Sequence, residues 1–171
     1  MQTRPPRKIE GMIGGSKLRK DELEAWKKLI PLNRKWRILE IGTYCGASSA
    51  VIAKERPDCS FFCVDAYPAF KEFKHNKQPN QNLFYGFSSD LMRFFPPRVF
   101  HMIFVDGAHD FDGVYADLDI SKKLLKRDGV LLAHDYRDAL QMAVKPAVDK
   151  WCADNDATVE VVAGTVARIR I

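Results

Sequence analysis

The chain has no apolar run approaching the roughly 20 residues that cross a bilayer, so a helical membrane span is excluded. Cysteine is scarce. Cys45, Cys59, Cys63 and Cys152 form no CxxC pair, and they read as buried thiols rather than as a metal finger or a disulfide framework. Residues 1–10 (MQTRPPRKIE) lack the apolar core of a secretory signal, and the expectation is a cytoplasmic protein. Low-complexity tracts, internal repeats and linkers are missing as well. What is present is 171 residues, 46% hydrophobic and 29% charged, which suits one globular domain rather than a disordered tail.

The net charge of +5 is unevenly placed: residues 1–37 hold 11 Lys or Arg against 4 Asp or Glu, and the remainder 16 against 18. A basic arm suits nucleic acid or an acidic substrate. It also suits a solvated helix face, with Lys17, Lys20, Lys27 and Lys28 interleaved with Glu22 and Glu24. The second reading is preferred, because aromatic residues do not interleave with the basic ones as single-strand binding needs.

The apolar spacing predicts a helix over Ser16–Leu29, with Ser16 as N-cap and Pro31 beyond its end. Strands are expected at Trp36–Ile41, Ser60–Asp65, Asn82–Gly86, Val99–Asp106 and Val130–Ala133. Helices are expected at Gly46–Lys54, Ser88–Phe95 and Phe111–Leu125, with Lys126–Gly129 as a basic, glycine-closed stop. Residues 68–80 read as a polar stretch and residues 137–145 as loop or irregular helix, with a last helix opening at Pro146. Val159–Ala163 and Val166–Ile171 read as strands joined by the tight turn Gly164–Thr165, which only an antiparallel pair accommodates. The expected fold is therefore α/β, a Rossmann-like, mostly parallel sheet with helices on both faces and a C-terminal antiparallel hairpin.

In such sheets ligands bind at the carboxyl ends of the strands. There the sequence places Glu40-Ile41-Gly42-Thr43-Tyr44-Cys45-Gly46, then Asp65-Ala66, Ser88-Ser89-Asp90, Asp106-Gly107-Ala108-His109 and His134-Asp135. Apolar strands that each end in polar residues are not explained by sheet packing alone. Gly42 permits close approach of a ligand to the backbone, and Gly46 opens a helix whose free amides favour an anionic group. Asp65, 23 residues beyond Gly42, stands where a carboxylate accepts ribose hydroxyls, which points to a nucleoside cofactor. A nicotinamide site would show GxGxxG, but Tyr44 and Ala47 occupy the places of the second and third glycines. S-adenosylmethionine has no pyrophosphate and needs no such pattern.

LEIGTYCGASSAVIAK (39–54) resembles the first motif of catechol O-methyltransferase and its relatives. FVDGAHDFDGVYADL (104–118) followed by GVLLAHDY (129–136) is similar to the macrocin-type sugar and macrolide O-methyltransferases. The resemblance runs over most of the chain from residue 36 and implies a class I S-adenosylmethionine-dependent methyltransferase, with residues 36–171 as the cofactor-binding domain and residues 1–35 as an arm and helix packed on it. It implies that Gly42, Tyr44 and Ser48 surround the methionine end, with Glu40, Thr43 and Gly46 beside them. It also implies Asp65 with Ala66 at the ribose, Ser88 near the adenine and Asp106 near the amine. Gly11-Met12-Ile13 resembles the loop that covers the cofactor.

In these families an acid after the fourth strand and a polar pair after the fifth hold a divalent cation. The corresponding residues here are Asp106, His134 and Asp135. His134 departs from the usual acidic residue, which turns the preference from Mg toward Mn, Fe or Zn. The alternative is that His134 and Asp135 only hydrogen-bond the loop. His109 stands where the resemblance places a catalytic lysine, and with Asp106 it forms the expected catalytic pair. It equally suits a residue at the start of the next helix, bonded to Asp110 or Asp112. His101 reads as core and His75 as exposed.

The expected activity is methyl transfer to a hydroxyl of a small molecule. A nucleic-acid methyltransferase is the rival, but the fourth strand lacks the Asn/Asp-Pro-Pro-aromatic ending typical of exocyclic-amine methylation. A non-catalytic or hydroxylase-like cofactor-binding member of the same fold is the second rival. With about 35 residues before the first strand and loop 137–145 to shape a substrate pocket, completion by a second subunit in a homodimer is the further expectation.

Overall fold

A computed structural model describes residue 15 and residues 18–171. The predicted N-cap Ser16 and the loop residues Gly11, Met12 and Ile13 lie outside them. Strands β1 (Arg37–Ile41), β2 (Ser60–Asp65), β3 (Gln81–Tyr85), β4 (Phe100–Val105), β5 (Leu125–Ala133), β6 (Thr158–Ala163) and β7 (Val166–Arg170) form one sheet in the order β3-β2-β1-β4-β5-β7-β6. The first five pair in parallel, and β7 pairs antiparallel with both β5 and β6. This is the expected fold class, and the order reverses direction between β1 and β4, where an open α/β sheet leaves a crevice.

Side-chain alternation on β1 sorts the core into two layers. Leu39 and Ile41 join an apolar cluster with Val114 and Leu118 of α4 (Phe111–Leu124) and Val148 and Trp151 of α5 (Val144–Asp154). Ile38 joins the opposite cluster, with Leu23 and Trp26 of α1 (Lys20–Lys28), Ile52 of α2 (Ala47–Glu55) and Phe73 of α3 (Phe70–Asn76). Trp26 is the anchor of the second layer. Its indole stacks on Phe104 at 4.2 Å between ring centres, and its Nε1 donates to the Met102 sulfur at 3.1 Å.

Four local features differ from expectation. α1 begins at Lys20 with Arg19 as N-cap, because the Glu22 carboxylate folds back to accept the Arg19 amide at 2.7 Å. α3 occupies part of the stretch expected to be irregular; Phe73 and Asn76 are its buried residues, and Asn76 donates to the Cys45 carbonyl at 2.9 Å. β5 starts at Leu125, and its pairing with β4 jumps from Phe100↔Leu125 to Met102↔Val130, so residues 126–129 bulge from the ladder. α5 opens at Val144, two residues before Pro146, which still falls in the first turn where no intrahelical amide bond is lost. Among the described residues no helix is long and apolar enough to cross a membrane.

Candidate active site

The ends of β1, β2, β3 and β4 enclose a cleft of about 440 Å³, within the usual range of small-molecule sites. Gly42 makes it possible. Its φ is +86°, and a Cβ there would run into the backbone of Asp106 and Gly107. The close approach is fixed by two backbone bonds, Gly42 N to the Val64 carbonyl at 2.8 Å and Asp106 N to the Ile41 carbonyl at 2.8 Å. Gly46, also left-handed, caps α2 with its Cα pressed against the Phe73 ring, and it stands behind the lining rather than in it.

The lining gathers most of the residues singled out in the sequence. Glu40 comes from the end of β1, Gly42, Thr43 and Tyr44 from the turn after it, Ser48 from the start of α2, Asp65 and Ala66 from the end of β2, Ser88 from the 3-10 helix Ser88–Arg93, and Asp106 and His109 from the loop after β4. Both Asp65 oxygens are fixed by backbone amides, Tyr44 N and Tyr67 N, each at 2.6 Å. Tyr44 holds φ +47° and exposes its ring, while its carbonyl accepts the Ala69 amide at 3.1 Å. Glu40 is only 3% exposed and accepts Thr43 Oγ1 at 2.5 Å and Ser49 Oγ at 2.6 Å. Burial, aided by the negative charges of Asp106 and Asp65, pushes its carboxyl up to about 7 despite those two hydrogen bonds.

The second part of the site is a cluster of two histidines and two aspartates. His134 Nδ1 lies 3.0 Å from Asp106 Oδ1 and 3.3 Å from Asp135 Oδ1. His109 Nε2 lies 3.1 Å from Asp135 Oδ2 and 3.8 Å from Asp106 Oδ1. His134 and Asp135 are not lining residues; they reach the cleft through Asp106 and His109. The neighbouring carboxylates of Asp106 and Asp135 hold the His109 imidazolium proton up to about 9, outweighing burial. Burial works against ionisation of Asp106 and Asp135, but the adjacent His134 and His109 outweigh it, and both carboxyls lie below their ordinary value. Burial also opposes a charge on His134, yet the surrounding carboxylates raise it well above the ordinary imidazole value.

His109 is thus not an unperturbed imidazole, and its contacts run to Asp135 and Asp106 rather than to Asp110 or Asp112. Asp110 instead caps α4, accepting the Gly113 amide at 2.9 Å. His101, part-buried on β4, accepts the Arg37 amide at 3.0 Å on Nδ1; His75 is exposed. Neither belongs to the site.

Two acidic residues near the site escaped the sequence reading. Asp117, in the middle of α4, lines the cleft and accepts Ser88 Oγ at 2.5 Å and the Ala108 amide at 3.3 Å. Its buried neighbour Leu118 gave the apolar signal there, and only three-dimensional proximity to Gly107 marks the acid as part of the site. Glu22, read as one member of a solvated charged face, is instead wholly buried and reaches His134 Nε2 at 3.4 Å.

Residues 39–136 match a family model described as a methyltransferase domain, which is more than half of the chain. The chain belongs to the methyltransferase family. Solved structures agree on the fold. A Staphylococcus aureus protein assigned as a caffeoyl-CoA O-methyltransferase is 19% identical over 90% of this chain and 85% of its own, with a TM-score of 0.72. The O-methyltransferase NovP is 14% identical over 91% of this chain and 81% of its own, at a TM-score of 0.71. The methyltransferase MycE from mycinamycin biosynthesis, solved with Mg, S-adenosylhomocysteine and mycinamycin VI, is 16% identical at a TM-score of 0.61, covering 81% of this chain and 45% of its own. A search of curated protein sequences gave no match. At these identities the solved structures establish the class I methyltransferase architecture, and the family match establishes a methyltransferase.

The residues of this methyltransferase fit the cofactor of its fold. A left-handed glycine lets the β1 turn close against the Asp106 backbone, where a Cβ would clash, and the carboxylates of Asp65 and Asp106 beside it suit a ribose and a cationic amine. They also fit a divalent cation: one atom each from Asp106, His134 and Asp135 lie within 4.8 Å of one another. Two carboxylates and an imidazole suit Mn, Fe or Zn better than the all-oxygen shell that Mg prefers.

Proposed function

We propose that this methyltransferase transfers the methyl group of S-adenosylmethionine to a hydroxyl of a small molecule. The observation that carries the reading is the convergence of Asp106, His109, His134 and Asp135 at the edge of the glycine-floored cleft. It supports the reading because methyl transfer to a hydroxyl calls for groups that accept a proton or hold a cation beside the methyl donor. When bound, S-adenosylmethionine supplies an electrophilic sulfonium methyl.

In this reading Asp65, with Ala66 beside it, receives the ribose hydroxyls, and Ser88 stands at the adenine. Gly42, Thr43, Tyr44 and Gly46 of the turn after β1, with Ser48 in the first turn of α2, surround the methionine end. Asp106 faces the amine, and Glu40 supports the turn from behind by holding Thr43. Asp106, Asp135 and His134 Nδ1 would hold a divalent cation, which supplies Lewis-acid polarisation of an alcohol when bound. His109 faces the acceptor side as the proton-accepting group; its high pKa means that its neutral form is scarce at pH 7 and grows as pH rises.

The test is transfer of labelled methyl from S-adenosylmethionine to a panel of catechols, phenols and sugar alcohols. Release of S-adenosylhomocysteine with O-methylated product supports the reading. Turnover only with amine or nucleic-acid acceptors, or binding without turnover on any acceptor, would overturn it. EDTA is expected to lower the rate, with Mn²⁺ restoring more of it than Mg²⁺; a rate unmoved by EDTA contradicts the metal-assisted form.

A further inference from the structure

The His134 ring is held at both ends, and only one end belongs to the cluster at the cleft. Nδ1 faces Asp106 and Asp135, whereas Nε2 faces Glu22 Oε2 at 3.4 Å, from a residue 112 positions earlier. Glu22 is wholly buried. Its Oε1 accepts the Thr165 amide at 2.7 Å and the Thr165 hydroxyl at 2.9 Å, and its Oε2 accepts the Arg19 amide at 2.7 Å. Thr165 stands in the turn between β6 and β7, so one carboxylate joins α1, the C-terminal hairpin and the end of β5.

A carboxylate offers about four lone-pair sites and no donor. Three are used by two backbone amides and a hydroxyl. The amides cannot exchange donor for acceptor, so the ring nitrogen at the fourth site is required to donate. The proton on Nε2 is therefore set from α1, while Nδ1 faces the cluster's carboxylates, so the ring is held from both ends. Carboxylates that fix an imidazole through its far nitrogen are a general way of orienting such a ring.

We infer that Glu22 is a positioning residue of the active site: by accepting the Nε2 proton it sets the His134 ring so that Nδ1 addresses Asp106 and Asp135. It also makes α1 and the hairpin turn part of the site's construction. This inference goes beyond the methyl-transfer reading and does not rest on it, since it concerns the setting of the ring in the free protein.

The test is long-range proton–nitrogen correlation NMR on protein labelled with ¹⁵N-histidine, with the four rings assigned by single histidine substitutions. In the unsubstituted protein Nε2 of His134 is expected to carry a proton. Glu22→Gln keeps an oxygen for Thr165 but turns an amide NH₂ toward the ring and toward the Arg19 amide. The Nε2 proton signal is then expected to be lost, with the proton on Nδ1. Thr165→Val keeps the carboxylate while removing one tether, and is expected to lower thermal stability and leave the ring pattern unchanged. A Glu22→Gln spectrum identical to the parent's overturns the inference. So does an unprotonated Nε2 in the parent, a result that decides the matter even if Glu22→Gln fails to fold.

Discussion

His109 and Glu40 sit about the same cleft with opposite electrostatic settings. His109 keeps its proton up to about 9 through Asp106 and Asp135, so Asp135→Asn is expected to move its titration, followed by NMR in metal-free protein, down toward the ordinary value near 6.5; an unmoved midpoint contradicts this origin of the high value. Glu40 has a folded-state pKa of about 7 against an ordinary 4.5. The stability that goes with its protonated form is complete below 4.5 and is lost as pH rises through 7. Glu40→Gln is thus expected to match the parent near pH 4.5 and to exceed it above pH 7 by about 3 kcal/mol, since each tenfold change in proton affinity is worth about 1.36 kcal/mol. Denaturant unfolding across that pH range checks it, and a constant difference would refute the assignment. Residues at strand ends were legible in sequence because an acid following an apolar run stands out, as with Asp65 and Asp106. Glu22 and Asp117 were not. A charged residue amid charged neighbours on a helix looks solvated until the packing partner, here Thr165 or Ser88, is known.

At the level of elements, the strands β1, β2 and β4 were legible to within a residue or so at each end because their apolar runs are bounded by glycine, proline or acid. α3 was missed because its seven residues carry only Phe73 and Phe70 as apolar signals, and Phe73 is buried by docking on Gly46, a contact that local periodicity does not encode. The early start of β5 was hidden for a related reason: its paired residues are separated by a bulge of charged residues and Gly129 that reads as a helix stop. The turn after β1 makes the sharpest prediction at this scale. Gly42→Ala brings a Cβ into the Asp106 backbone at a φ of +86°. It is expected to weaken S-adenosylhomocysteine binding at least tenfold, about 1.4 kcal/mol or more; binding by calorimetry within twofold of the parent would contradict the close approach as the reason for glycine. Trp26→Ala, in contrast, empties the layer under α1 and is expected to cost about 3–5 kcal/mol in unfolding free energy, with a loss below 1 kcal/mol counting against Trp26 as the anchor.

Across the whole molecule, the order β3-β2-β1-β4-β5 gathers five strand ends on one rim and the antiparallel β7-β6 pair extends the other side. The fold class was readable from alternating strand and helix signals and the final glycine turn, because connection length restricts which strands pair in parallel. The joining of α1 to β5 and the hairpin through Glu22 was not readable, since it links residues more than a hundred positions apart. The central claim is that this rim binds S-adenosylmethionine through the Gly42 turn and Asp65. Isothermal titration of S-adenosylhomocysteine into the parent and into Asp65→Ala tests it most directly. One site per chain is expected in the parent, with at least tenfold weaker binding in the variant; absence of binding in the parent, or equal affinity in both, would contradict the claim.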